Sequence, residues 1–220
     1  MVRKAYFWVG LALVSVAALV FTIHFFPRAF PIVSIDLRMD RREALKQAAE
    51  IAARDHLGPA EFSQAASFDV DSPVQTYVEL EAGGVTAFRT LMAGGLYSPY
   101  TWRVRNFRQG ETREVSFWFT PAGTPYGFDE KVPEDEAGTN VTEEEALQIA
   151  EAAAASWGVQ LSDFQRIESQ SDTKAGGRID HTFVYQRPNE KIGDAEYRLR
   201  LRVSGNRVSE IFNFIKIINN

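Results

Sequence analysis

The sequence predicts an α+β protein in which one N-terminal transmembrane helix precedes two units, each a helix packed on antiparallel strands. Three observations carry this reading. The chain opens with 22 residues that bear no formal charge, from Ala5 to Phe26. Two amphipathic helical segments with capping signals start at Asp40 and Thr142. After each of them come runs in which apolar and polar residues alternate with the period of a strand.

Residues 5–26 read AYFWVGLALVSVAALVFTIHFF. At a rise of about 1.5 Å per residue such a helix covers roughly 30 Å, the thickness of a bilayer's hydrocarbon core. Tyr6 and Trp8 fall at the level of the aromatic belt, and Arg3 and Lys4 precede them. The positive-inside rule then makes residues 1–4 a cytoplasmic N-terminus and places everything after Phe26 outside. A cleaved signal peptide is the competing reading, since Ser15-Val16-Ala17 has the small-x-small pattern. Cleavage there would leave the apolar stretch Ala18–Phe26 as a new terminus, which favours the anchor. His24 reads as an end residue at the outer interface. Pro27 and Pro31 are expected to end the helix and open a juxtamembrane segment over 27–38.

Asp40-Arg41-Arg42-Glu43 and Thr142-Glu143-Glu144-Glu145 both match the capping box, a side-chain acceptor followed three residues later by a carboxylate. Ala44, Leu45, Ala48, Ala49, Ile51 and Ala52 follow the first at helical spacing. Ala146, Leu147, Ile149, Ala150, Ala153 and Ala154 follow the second. Gly58 and Gly158 supply end signals. Strand-like runs are Gln75–Leu80, Thr101–Phe107, Glu114–Thr120, Pro125–Val132, Arg178–Arg187, Ala195–Val203 and Arg207–Ile217. In the sixth, Tyr197, Leu199, Leu201 and Val203 face one way and Arg198, Arg200 and Arg202 the other, the pattern of a half-buried antiparallel strand with a basic solvent face. Leu45 and Phe62 recur as Leu147 and Phe164 at an offset of 102, while Glu114 and Gly123 recur as Glu196 and Gly205 at an offset of 82. The difference predicts about 20 extra residues in the first copy, assigned to a segment at 83–100. The units are therefore 39–133 and 141–218, joined by an exposed linker at 134–140.

Beyond residue 28 the chain holds 21 basic and 29 acidic side chains, a net of −8 that argues against a nucleic-acid partner. The absence of cysteine removes disulfides, thiolate metal sites and cysteine nucleophiles. His24, His56 and His181 lack the spacing of metal ligands. His56 reads as a helix C-terminal residue, and His181 with Asp180 as a surface or cross-strand pair. Glu143-Glu144-Glu145 reads as a first helical turn placed to favour the macrodipole. No nucleophile elbow, Walker loop, dinucleotide fingerprint or His-Glu-x-x-His is present, so neither catalytic residues, metal ligands nor cofactors are assigned. Tyr100, Trp102 and Trp118 stand out among the aromatics as a candidate partner surface.

The helix-then-hairpin copies resemble PepSY-type modules of exported bacterial proteins. Phe30–Arg41 (FPIVSIDLRMDR), Thr120–Phe128 (TPAGTPYGF) and Arg178–Tyr185 (RIDHTFVY) are similar to segments that follow the first membrane helix in long bacterial members of the CPBP family of CAAX-protease-like intramembrane metalloproteases. That family's Glu-Glu-x-x-x-Arg motif has no counterpart here: the glutamates of 143–145 are followed at that spacing by Gln148 or Ile149. The resemblance implies a non-catalytic, membrane-anchored extracytoplasmic module of the bacterial cytoplasmic membrane, held in the bilayer through residues 5–26. Its partner would be a protein or peptide of the envelope beside a CPBP-type protease. Two further readings are an N-terminal piece of a zinc-dependent intramembrane endopeptidase, and a stand-alone envelope sensor or structural protein.

Overall fold

The structure, a computed structural model, describes residues 2–29 and 35–218. Residues 30–34 of the expected juxtamembrane segment, and with them the start of the segment Phe30–Arg41, lie outside the described residues. The described chain forms two compact units, which divide between Asp36 and Leu37.

The first unit is helix α1 (Val2–Ala29). Its stretch Tyr6–Phe26 has the length and composition of a membrane span, and none of it is buried. The helix runs three residues beyond Phe26, contrary to a stop at Pro27. Proline's fixed φ is itself helical, so a proline weakens the turn before it without stopping the residues that follow.

The second unit contains α2 (Arg41–Asp55), β1 (Ser63–Val70), α3 (Ser72–Glu81), α4 (Gly84–Ala93), β2 (Tyr100–Phe107), β3 (Glu114–Phe119) and β4 (Pro125–Lys131). It continues with α5 (Glu143–Ser156), a 3-10 turn at Leu161–Asp163, β5 (Gln165–Thr173), β6 (Ile179–Ile192), β7 (Ala195–Ser204) and β8 (Arg207–Lys216). All eight strands form one antiparallel sheet in the order β1-β2-β3-β4-β8-β7-β6-β5. The repeat explains this order. Each copy is a four-stranded meander, and the two meet through their last strands. Phe128 pairs with Ile211 and Asp129 with Glu210. Each meander ends in the strand that forms the junction, so the two last strands meet antiparallel, as an approximate two-fold relation between the copies requires.

Two strands escape the sequence patterns. β1 (SQAASFDV) and β5 (QRIESQSDT) are the sheet's edges, and β5 is exposed along its whole length. An edge strand with little apolar surface shows no alternation to read. The run Gln75–Leu80, expected as a strand, lies within α3, whose N-cap Asp71 accepts a hydrogen bond from the Val74 N–H at 3.2 Å. The extra material of the first copy is consequently a pair of helices that starts after β1, earlier than Gly83, and Tyr100 already belongs to β2. In the second copy a short turn after Thr173 joins β5 to β6. The α3–α4 pair reaches across to the β6–β7 turn, where the Asp194 N–H donates to the Tyr77 hydroxyl at 2.9 Å. Tyr97 donates to Asp71 below it, and burial, then the Asp71 charge, pushes its phenol far above the ordinary value.

α2 lies on β1 and β2, and α5 on β6, β7 and β8. A single core joins the copies, with Val104, Phe117, Phe119, Phe128, Phe183, Leu199, Leu201 and Ile211 of the sheet against alanines of the two helices. Ala146, Ala150 and Ala154 are all fully buried one helical turn apart. Such a methyl stripe brings the helix axis close to the sheet and leaves the volume to phenylalanine and leucine.

The box at α5 is complete, and the one at α2 is not. Asp40 accepts from the Glu43 N–H at 2.8 Å, but Glu43 accepts from Gln47 instead of reaching back. With an aspartate cap, reaching back would bring two carboxylates together. At α5 the N–H of Thr142 donates to Glu145 Oε2 at 2.9 Å, and the Glu145 N–H donates to Thr142 Oγ1 at 3.3 Å. These bonds, led by the one from the Thr142 backbone, hold the Glu145 carboxyl below its ordinary value. A depressed carboxyl stabilises the fold fully above the unfolded glutamate pKa, and the contribution is lost as pH falls through the folded one. An NMR titration is therefore expected to show the Thr142 amide following a midpoint below the normal glutamate range, and Glu145→Gln should abolish that titration. A midpoint at the ordinary value would contradict the box.

Candidate functional site: the open face of the sheet

Both packed helices occupy one side of the sheet, and no element of residues 37–218 covers the other. Strand alternation decides what that face presents. β2 contributes Arg103 and Arg105, β7 contributes Arg198, Arg200 and Arg202, and Lys131 and Lys216 stand on β4 and β8. Four carboxylates share the central strands of this face: Glu114, Asp129, Glu196 and Glu210. On the central strands seven cations stand against four anions, while the flanking strands add Asp69, Glu168, Asp172 and Asp180 against Lys191, so the positive charge of this face is concentrated at its centre.

Depth sharpens the difference. Glu210 is 1% exposed, whereas Arg200 and Arg202, which both pair with it, are 38% and 30% exposed, and Arg105 is 46% exposed. The compensating carboxylate lies beneath the guanidinium groups. Burial pushes Glu210 above its ordinary pKa, against the pull of Arg200 and Arg202. Arg202 also stands 3.6 Å from Asp129, Arg198 bonds to Glu196 at 2.7 Å and Arg105 to Glu114 at 2.7 Å.

Aromatic rings lie between the two groups of arginines. Trp118 meets Phe212 edge-on at 5.1 Å, and Phe214 stacks beside Phe212 at 6.3 Å. Arg103 sits 5.6 Å over the Trp118 ring, and Arg200 lies 5.8 Å from Phe212 and 5.5 Å from Phe214. Contacts of this kind contribute about 0.5–1 kcal/mol each where they are solvent-accessible. Trp118 and Phe212 belong to strands separated by β4, so their backbones are about 9.6 Å apart. They touch because the residue between them is Gly127, which pairs with Trp118 and has no side chain.

The three aromatics singled out from the sequence do not converge. Trp118 lies on the open face, half-buried. Tyr100 and Trp102 point to the opposite side: Tyr100 is buried against Phe88, and the Trp102 indole N–H donates to the Met39 carbonyl at 3.0 Å. The partners that Trp118 does have, Arg103 and Phe212, carry a readable signal, since each sits on the polar parity of its strand. What the sequence lacked was the junction of β4 with β8, which brings the two copies together.

His181 and Asp180 also separate, as neighbours in a strand must. Asp180 binds Arg178 at 2.8 Å. His181 is buried on the helix side, with Nδ1 2.8 Å from Ser171 Oγ and Nε2 3.1 Å from the Val141 carbonyl. The carbonyl can only accept, so Nε2 carries a proton toward it, while the Ser171 hydroxyl bonds to Nδ1. The pair ties the approach to α5 onto the sheet. Arg178 does the same for the linker, donating to the carbonyls of Pro133 and Glu136 at 2.9 Å each. Beside that linker, where the open face ends, a cleft of about 640 Å³ is lined by Lys131, Lys174 and Arg202 together with a larger number of carboxylates, Glu134, Asp135, Asp172 and Asp180 among them.

No family model matches the chain, and no curated protein matches it. Among solved structures, the chain is similar to the C-terminal domain of YpeB from Bacillus megaterium, with 12% identity and a TM-score of 0.43. The likeness covers 79% of this chain and 63% of that one, just under two thirds of its length.

Proposed function

We propose that the chain is a membrane-anchored, non-catalytic extracytoplasmic module whose two PepSY-like units present the open sheet face to a protein or peptide partner in the envelope. The observation that supports this most is the centre of the uncovered face, where the arginines of β2 and β7 flank the rings of Trp118, Phe212 and Phe214 on a region that is acidic in net charge. The partner we favour is an intramembrane protease of the CPBP type. The resembling segments Thr120–Phe128 and Arg178–Tyr185 contain the β3–β4 turn with the first part of β4 and the start of β6, including Gly127 of the open face and Arg178 of the linker clamp. In this reading Arg3 and Lys4 hold the N-terminus on the cytoplasmic side of a bacterial membrane.

The test is site-specific photocrosslinking in living cells, with a photoreactive phenylalanine analogue at Trp118 of the full chain. The expected adduct is a multi-span membrane protease, identified by its peptides, with no adduct when the analogue stands at the exposed Leu80 instead. Equal labelling from both positions, or none from Trp118, would reject the reading. The same segments support a second reading, that the chain is the N-terminal region of a longer zinc-dependent endopeptidase. An open frame downstream of Asn220 encoding further spans and a Glu-Glu-x-x-x-Arg motif would establish it.

A further inference from the structure

Resting on the open face as the partner surface, we infer that its ligand is an extended acidic polypeptide segment with carboxylates at alternate positions, lying along β7. Arg198, Arg200 and Arg202 stand on one side of a regular strand, so their Cα atoms are spaced by two residues, about 6.6–6.8 Å. An extended peptide repeats its side chains with the same period. A partner with acidic residues at i, i+2 and i+4 would bring one carboxylate to each guanidinium without distortion.

Donor capacity permits this. Each guanidinium has five N–H donors in a planar fork. Arg200 and Arg202 direct part of theirs down to the one buried carboxylate of Glu210, and both remain more than a quarter exposed. The path is bounded on one side by the rings of Phe212 and Phe214, over which the Arg200 guanidinium stands at 5.8 and 5.5 Å, so the central cation is held in place before binding. Past Arg202 the path ends at the cleft of about 640 Å³, whose carboxylates, Glu134, Asp135, Asp172 and Asp180 among them, outnumber its cations and would confine an acidic segment to the arginine row. The edge strands of this face and the rest of the unit are acidic in net charge, which would repel an acidic segment from them and steer it to the central arginines.

An anionic lipid surface is the other polyanion to weigh, and the geometry disfavours it. Residues that enter a bilayer interface project apolar bulk outward. Trp118, Phe212 and Phe214 are half-buried and lie along the sheet, none of them among the large apolar side chains that protrude. Lipid headgroups also diffuse laterally and impose no spacing, so the strand-period row of arginines would confer nothing on them.

The experiment uses the full chain in nanodiscs of phosphatidylcholine and fluorescence anisotropy of labelled synthetic peptides. A peptide alternating glutamate and serine is expected to bind about tenfold more tightly than one of equal composition with its glutamates in a single block. It should also bind more tightly than the lysine–serine counterpart, and lose affinity as salt is raised. Arg198→Gln should weaken the alternating peptide about tenfold, with an unchanged melting temperature showing that the variant is folded. Arg108→Gln, in the β2–β3 turn, should leave binding unchanged. Equal affinity for alternating and block peptides, or preference for lysine, overturns the inference without any variant being needed. Binding to vesicles of phosphatidylglycerol and phosphatidylcholine with no peptide binding overturns it in favour of a lipid surface. A Trp118 crosslink to a membrane protease alongside failed peptide binding would remove this ligand while leaving the partner surface standing.

Discussion

Gly127→Ala is expected to destabilise the second unit by about 3 kcal/mol, although glycine within a strand is ordinarily the weaker residue. A Cβ at position 127 would lie 2.3 Å from the carbonyl oxygen of Ile211. That atom is backbone of β8, so no side-chain rotation can relieve the clash, and β4 and β8 must separate. They are joined over only two register pairs, Phe128–Ile211 and Asp129–Glu210, after which the Asn213 side chain donates to the Tyr126 carbonyl at 3.0 Å. The displaced junction is the one that couples the two meanders, and the same shift parts Trp118 from Phe212. Strand propensity alone predicts the opposite sign, a gain of about 0.5–1 kcal/mol on replacing glycine. Urea unfolding of the full chain in detergent, followed by near-ultraviolet circular dichroism, distinguishes the two. A higher midpoint, or a loss below about 0.5 kcal/mol with the aromatic signal intact, would show that β4 and β8 do not approach as closely as described.

The open face and its glycine show how a duplicated unit acquires a surface that neither copy has. Each meander alone would end in an edge strand, β4 or β8, with unpaired backbone groups. Pairing these edges hides them and sets the aromatic of β3 beside those of β8 over Gly127. The arginines of β2 and β7 then flank one continuous layer. The α3–α4 pair, present in the first copy only, breaks the symmetry on the opposite side and leaves the open face untouched.

Regular alternation made much of this legible. Leu199, Leu201 and Val203 against Arg198, Arg200 and Arg202 states both faces of β7 outright, and the offset of 82 between Gly123 and Gly205 pairs the hairpins that meet at the centre. Where alternation is missing, the signal is missing too. β5 carries Gln, Arg, Glu, Ser and Asp on both faces because as an edge it buries neither. Gln75–Leu80 has β-branched and aromatic residues that suit a strand, but the Asp71 cap and Pro73 at its start fix a helix, with Val74, Tyr77 and Val78 as its buried side. Tyr100 and Trp102 were grouped with Trp118 by chemistry. Their even positions in β2 set them opposite Arg103 and Arg105, and the antiparallel register of β2 on β3 places Arg103 beside Trp118. That register depends on a loop geometry that composition does not encode.

In the sequence Glu130 is one polar residue of the strand-like run Pro125–Val132, yet the fold makes it the second position of large expected effect. Its side chain is 0% exposed and receives Arg113 at 2.5 Å, Arg207 at 2.9 Å and the Gly58 N–H at 2.9 Å. The carboxylate of β4 thus joins the end of α2, the β3 strand region and β8 of the other copy. Removing a buried ion's partner commonly costs about 3–5 kcal/mol, because the remaining charge stays desolvated. Here the lower end applies: Arg113 retains Glu136, and Arg207 is 47% exposed, so water recovers part of the loss. Glu130→Ala is therefore expected to destabilise the unit by about 3 kcal/mol, with Glu130→Gln costing less because the amide oxygen still accepts from Gly58. Arg207→Met, on the solvent side of the same network, should cost under about 1 kcal/mol. Chemical denaturation of the three variants gives the ordering directly. If Arg207→Met proved as damaging as Glu130→Ala, the stability would reside in the ion pair and not in satisfying the buried carboxylate site, and β4 would depend on β8 through charge more than through the shared core.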